Sequence, residues 1–442
     1  MIIAALSWLL IQRLESKQPN ISTSWDSRVI GTSQKIAITV TDEHSGLRQV
    51  GVGLLQNGKE RLLTDKNNFA QVNFLGHGGT LENTFTITVI PDKLGLTDGQ
   101  AILRIVATDQ SWRNWGRGNL NNFEKEITID RQPPEIDILT QVHNIQQGGA
   151  GVIIYKVSEI CSLSGVYVGE NFFPGYSGNF KDSSIFMAFF ALGYQQGTDT
   201  DLYLQAADSA GNISKADFPF HIRKKKFKKD NITLNDRFFK RKMPEFKTYF
   251  SANENLSLSE QFLKINRKMR QDNYKQFVKI AATTVNTLLW SGKFLRFPNS
   301  ATRAGFADHR AYRYKDETID HQVHLGIDLA SLKHAPVPSA NKGKVVFTGV
   351  IGIYGKTVVI DHGFGLFSIY SHLSRISIKK GQLVSKGAII GNTGITGLAG
   401  GDHLHFGMII HNTFVTPVEW WDAAWIRKNI TVKIKAVKED NQ

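Results

Sequence analysis

The sequence predicts a mainly β protein of several domains, with one short helical stretch between them. Length is the first observation: 442 residues, at roughly 150 per domain, divide into about three, each able to bury a core. Second, 39 glycines mark frequent turns. Third, apolar and polar residues alternate over runs such as Lys35-Ile-Ala-Ile-Thr-Val40 and Phe85-Thr-Ile-Thr-Val-Ile90, the period of a strand with one buried face. Hydrophobic content of 41%, with 27 Phe and only 11 Pro, excludes a disordered or fibrous chain.

Residues 1–18 open on an apolar run, Ile2 to Ile11, closed by Arg13. About ten residues at 1.5 Å rise cover half of a hydrocarbon core, so the run as written cannot span a membrane. It reads either as the remnant of a signal or membrane anchor or as an N-terminal helix packed on the first domain. Residues 19–131 carry the alternating pattern, broken by Gly, Asp and Asn turns, of a β-sandwich. Arg131-Gln-Pro-Pro134 ends it, because successive prolines cannot join a sheet ladder. A second strand-rich block fills residues 132–222. Its Ala206-Ala-Asp-Ser-Ala-Gly-Asn212 echoes Ala107-Thr-Asp-Gln-Ser-Trp-Arg-Asn114, both suited to a turn whose Asp, Ser and Asn side chains bond local backbone. With Thr41-Asp-Glu-His-Ser-Gly46 and Ile129-Asp-Arg-Gln-Pro-Pro134, these pieces resemble the immunoglobulin-like modules of bacterial cell-envelope proteins. The resemblance implies two immunoglobulin-like β-sandwich modules.

Residues 223–298 read as a basic linker and helix. Arg223-Lys-Lys-Lys-Phe-Lys-Lys229 and Lys240-Arg-Lys242 have little capacity to build a core and read as solvated. The alternative is adhesion to an anionic envelope surface, at roughly 1 kcal/mol per basic residue. Ser257-Leu-Ser-Glu260 fits a capping box, and Phe262, Ile265 and Met269 follow at helical spacing as a packing stripe. A net charge of +14 means attraction to polyanions, but no zinc-finger pattern or RNP signature is present, so nucleic acid is not expected. Cys161 is the only cysteine; it reads as a small buried apolar residue and leaves nitrogen and oxygen as the ligands for any metal.

Residues 299–426 form the last domain, before a tail at 427–442. Nine of the 13 histidines fall between His309 and His411. In His403-Leu-His405 both rings project from one face of a strand, with Cα atoms about 7 Å apart. One can bind a metal while the other handles a proton or polarises a carbonyl; the spacing leaves open which. His324 and Asp328, four apart, share a face in either a strand or a helix. Two imidazoles and a carboxylate, with one position left for water, make a catalytic zinc site. No His-Glu-x-x-His motif occurs, so histidine must supply the proton chemistry, with His372 and His403 as candidates.

The ordered string runs His324-Leu-Gly-Ile-Asp-Leu-Ala330, Tyr354-Gly355, Val359-Ile-Asp-His-Gly363, Tyr370-Ser-His-Leu373, Gly381-Gln-Leu-Val-Ser-Lys-Gly387 and His403-Leu-His-Phe406. From Arg303 to about Asp422 the chain resembles the catalytic domain of the lysostaphin-type, or LytM-domain, zinc metalloendopeptidases. That resemblance implies a C-terminal antiparallel β-sheet domain with one Zn2+ per chain held by His324, Asp328 and His405, and His372 and His403 as catalytic histidines. It also implies hydrolysis of peptide bonds in bacterial peptidoglycan, in a periplasmic or other extracytoplasmic envelope location. The alternative is a non-catalytic regulator of other wall hydrolases, which some relatives that lack ligands become; all three ligands are present here. The chain departs from the family in having Gly401-Asp402 before the final histidine pair and Gly407 after Phe406. Asp402 reads as a turn residue, and the stretch Gly391 to Gly401 as a substrate wall or a hairpin loop. His362 reads as structural, and His309, His321, His334 and His411 as surface or loop residues. Tyr370 reads as packing, and Asp308 and Arg310 as a pair with each other.

Overall fold

A computed structural model describes residues 13–64, 67–68, 80–250 and 255–440. The apolar run Ile2 to Ile11 lies outside them. No helix among the described residues is long and apolar enough to cross a membrane. The protein is mainly β and divides into two compact units. The first runs to Pro134 and takes in Ile160–Ser162 and Ala207–Ser214; the second comprises Glu135–Glu159, Leu163–Ala206 and the chain from Lys215 onward.

Two sheets share one core in the first unit. Asn20–Thr23, Gln34–Thr41 and Glu82–Val89 make an antiparallel three-stranded sheet. The other sheet is ordered Val29–Ile30, Leu120–Ile129, Gly99–Asp109, Leu47–Gln56, Lys59–Leu62. Strand alternation selects the core: Ile36, Ile38 and Val40 are buried while Lys35, Ala37 and Thr39 between them are not, and Leu103, Ile105 and Ala107 meet them from the second sheet. Each buried aliphatic side chain of Leu, Ile or Val size contributes about 1.5–3 kcal/mol. Cys161 is half-buried, more exposed than its reading as a core residue required.

In the second unit, Ile136–Ile138, Ala150–Val157 and Ile185–Ala191 pair antiparallel. The largest sheet follows the order Ala301–Ala304, Ile327–Ala330, Leu404–Ile410, Leu366–Leu373, Gly355–Asp361, Gly343–Ile351, Leu383–Val384, with Thr413–Val415 also on Leu404–Ile410. Leu366–Leu373 and Leu404–Ile410 are buried at every residue, so they read in sequence as continuous apolar runs, and their few polar members stand out. A smaller sheet pairs Lys229–Thr233 with His309–Tyr314, and that strand with Glu317–Val323.

The linker departs from its reading as purely solvated. Arg223 to Lys226 are exposed, but Lys242 is fully buried. Its ammonium donates to Glu245 Oε1 at 2.8 Å and to the Ile395 carbonyl, acceptors that offset the cost of burying a charge. The capping box of Ser257 and Glu260 is formed, and Phe262, Ile265 and Met269 are buried.

Candidate metal centre

Sheet register assembles the site. Asp328 stands opposite His405, and His405 opposite Ser371, so three adjacent strands bring Asp328, His405 and the next residue, His372, together. His324 arrives from the segment just before Ile327–Ala330. Close approach requires Gly326, where an added Cβ would lie 2.5 Å from the His405 ring. His324 Nε2, Asp328 Oδ1 and His405 Nδ1 form a triangle with sides of 3.0, 3.0 and 2.9 Å. These three residues could hold a metal ion. Tetrahedral zinc, with bonds of about 2.0–2.1 Å to nitrogen and oxygen, spaces its ligands by about 3.3 Å, so the donor set fits with a small expansion.

The donors are prepared for that role. His324 Nδ1 lies 2.8 Å from the Gly305 carbonyl; a proton there leaves Nε2 as the lone pair that faces the triangle. Burial pushes the Asp328 carboxyl up, but the imidazoles of His324, His403 and His405 outweigh it and hold the acid well below its usual range. Burial lowers His405 to about 4, keeping it neutral. Its Nε2 has no hydrogen-bond partner among the described residues. The second Asp328 oxygen, Oδ2, is 3.0 Å from Arg310 Nη2.

His372 and His403 flank the triangle, with ring centroids 4.8 Å apart. His372 has φ 63°, a left-handed conformation that costs a non-glycine residue about 1–3 kcal/mol and gathers at functional sites. Its Nδ1 lies 2.8 Å from the Thr396 carbonyl, and His403 Nδ1 lies 2.7 Å from that of Gly401. In both, a proton on Nδ1 leaves Nε2 for the site. Burial and the neighbouring imidazoles hold His372 well below its ordinary value. Burial also acts to lower His403, but Asp328, 3.4 Å from Nε2, overrides it and raises that histidine.

All five residues line one cavity of about 390 Å³. Asp230, Phe238 and Phe262 of the linker wall it on one side and Leu398 to Gly400 on another. Arg241 donates to the Gly400 carbonyl at 2.8 Å, and Glu245 Oε2 accepts from Gly397 N at 3.1 Å. The glycine-rich stretch is therefore a wall of the cavity, propped by the linker.

Arg310 was missed as a site residue. The expected Asp308–Arg310 pair does not form: Asp308 Oδ2 accepts from Gly305 N at 2.7 Å, while the guanidinium turns to the half-buried Asp328. No local signal could have shown this, because the partner lies on a strand of another sheet. Tyr354, ring to ring 5.2 Å from His405, was visible only as part of a motif. Asp402 accepts from Thr393 Oγ1 at 2.6 Å as a loop residue. Tyr370 is buried with its hydroxyl accepting from Ala340 N at 2.7 Å. His362 is fully buried between Lys342 O and Ser368 Oγ. His309, His321 and His334 are exposed, and His411 is half-buried in a turn.

Residues 322–417, which contain all five histidine and aspartate positions, match Peptidase family M23. The DD-carboxypeptidase/endopeptidase Mpg of Neisseria meningitidis serogroup B is 38% identical over 109 residues, 24% of this chain and 25% of that one. The peptidoglycan DD-endopeptidase ShyA of Vibrio cholerae is 44% identical over 87 residues, 20% of each chain. The lysostaphin catalytic domain from Staphylococcus simulans is 27% identical, with a TM-score of 0.25 over 28% of this chain and 92% of that one. The chain spans about a quarter of the length of the curated relatives it matches. Its C-terminal part is a LytM-type domain of peptidase family M23.

Proposed function

We propose that this chain is a zinc-dependent endopeptidase that hydrolyses peptide bonds of bacterial peptidoglycan, in cross-links or stem peptides, outside the cytoplasm. The triangle of His324 Nε2, Asp328 Oδ1 and His405 Nδ1, with two more imidazoles beside it, carries this reading. His324, Asp328 and His405 would hold one Zn2+, which when bound acidifies water towards a pKa of about 7 and polarises a carbonyl. The chain's own residues do the rest. With Nδ1 tied to a carbonyl, His372 presents Nε2 to orient the attacking water, and His403 presents Nε2 to pass a proton to the departing amine. Arg310 balances the Asp328 charge. The names of the DD-endopeptidase relatives support a peptidoglycan substrate. The presence of all three ligands argues against the regulator reading. The immunoglobulin-like modules at 19–131 and 132–222 would act as spacers or wall contacts, and the exposed Arg223 to Lys226 would touch an anionic envelope surface.

Zinc-loaded protein incubated with purified sacculi, followed by mass spectrometry of the muropeptides, should reveal new peptide termini. An unchanged muropeptide profile would sink the proposal.

A further inference from the structure

A second group of converging acids lies in the first unit and takes no part in the chemistry above. Glu15, Asp42 and Asp109 are 7%, 6% and 0% exposed, and one carboxylate oxygen of each lies within 4.8 Å of the others. They come from three places: the segment before Asn20–Thr23, the loop after Gln34–Thr41 and the end of Gly99–Asp109.

Most of their oxygens are engaged. Asp42 Oδ2 accepts from Gly46 N at 2.6 Å, and Glu15 Oε1 from Ser45 N at 2.8 Å. Asp109 Oδ1 accepts from Asn119 N at 2.7 Å, and its Oδ2 from Asn119 Nδ2 at 2.8 Å. Glu15 Oε2 differs: it is buried and has no hydrogen-bond partner among the described residues. A buried carboxylate oxygen left in that state is costly unless something neutralises it. Burial raises the Glu15 and Asp42 carboxyls, and Asp109 adds repulsion to both. These acids press on one another where Asp328 is matched by Arg310.

We propose that Glu15, Asp42 and Asp109 form a binding site for a hard divalent cation, Ca2+, distinct from the zinc site. The donors are oxygen alone, the set that suits Ca2+ over zinc or copper. Donation from Ser45, Gly46, Ser111 and Asn119 orients the carboxylates, and Glu15 Oε2, which has no donor among the described residues, would be left for the ion. The Glu15 carbonyl already accepts from Ser111 Oγ at 3.2 Å and Asn119 Nδ2 at 3.1 Å. The cation would thus fasten the segment before Asn20 to the loops Asp42–Gly46 and Asp109–Asn119, replacing repulsion with attraction.

The test uses the full chain with its zinc in place. Tb3+ luminescence sensitised through Trp112, next to Ser111, reports occupancy, and Ca2+ is titrated to displace it. Wild-type protein should bind Ca2+ with a dissociation constant on the order of 10⁻⁴–10⁻³ M or tighter. Glu15→Gln should lose one equivalent, or weaken it by about tenfold or more, with zinc content unchanged. In Ca2+-free buffer Glu15→Gln should unfold at a higher temperature than wild type, and in millimolar Ca2+ at a lower one. If the variant does not fold, the Ca2+-dependent rise of the wild-type unfolding midpoint decides alone. A wild-type midpoint indifferent to Ca2+, a Glu15→Gln protein that binds Ca2+ as wild type does, or a response to Mg2+ equal to that for Ca2+ would overturn the assignment.

Discussion

Asp328 and Glu15 are both acids with little exposure, at 13% for the Asp328 side chain and 7% for Glu15, yet their surroundings drive them in opposite directions. Three imidazoles hold Asp328 well below its usual range against burial, and the Arg310 guanidinium reaches its second oxygen. Burial and two neighbouring carboxyls raise Glu15. The contrast bears on which ion each pocket would suit. A mixed nitrogen and oxygen set that already carries a compensating base suits a borderline ion such as zinc, whereas an all-oxygen set of mutually repelling acids suits a hard cation that supplies the missing charge itself.

Removing a nitrogen donor is the strongest way to break this comparison. His405→Ala should lose zinc and sacculus hydrolysis together, read as metal per chain and as muropeptide products; full zinc content in the variant would remove His405 from the ligand set. His372→Ala should separate the two readouts, retaining zinc while turnover falls about 10²–10⁴-fold. Loss of zinc from His372→Ala would instead make that residue a ligand.

The comparison also marks how far the sequence could be read. The LytM-type site was legible because its chemistry repeats over short spacings: His403 and His405 alternate on one strand, and His324 and Asp328 sit four apart. The polar residues of Leu366–Leu373 and Leu404–Ile410 stand out in otherwise apolar runs. The register that sets Asp328 opposite His405 is a tertiary fact, and only the resemblance anticipated it. Arg310 was assigned to a neighbour two positions away because a linear chain offers only near partners. Glu15, Asp42 and Asp109 share no spacing at all, and the sandwich alone brings them together. Lys242 looked like part of a solvated basic run, since charge counting cannot see acceptors contributed by Glu245 and Ile395. The β character and the turns were legible throughout: the echoed Asp turn appears as Asp208 Oδ1 accepting from Asn212 N at 2.9 Å.

A milder substitution moves the Asp328 pocket toward the condition of the Glu15 pocket. Arg310→Gln leaves every ligand in place but removes the charge that balances Asp328 Oδ2. Zinc affinity, measured by chelator competition, should fall about 10–100-fold, the range seen when groups behind metal ligands are altered. Arg310→Lys should recover part of it, because the charge returns without the planar fork. Unchanged affinity in Arg310→Gln would mean that the imidazoles alone set the state of Asp328.

A third acid extends the Glu15 side of the comparison. Glu419 is 8% exposed, and its Oε2 accepts from Ala150 N at 2.9 Å. Burial pushes it up to about 8, against the opposing pull of that hydrogen bond and of Lys225 and Arg223. Burial thus favours the protonated form of this acid, and the two bases offset it only in part. In the unfolded chain it would release its proton near its ordinary value of 4.5. Between these two values the fold retains a proton that unfolding releases. Stability therefore declines as pH rises from about 4.5 to about 8, by up to about 1.4 kcal/mol per unit, and levels off above. Glu419→Gln keeps an acceptor for Ala150 N but has nothing to titrate. Its unfolding midpoint should match wild type near pH 5 and exceed it increasingly towards pH 8, with hydrolysis unaffected. Parallel midpoint curves for the two proteins across that range would show that Glu419 is ionised in the fold, and that burial alone does not decide whether an acid in this chain keeps its proton.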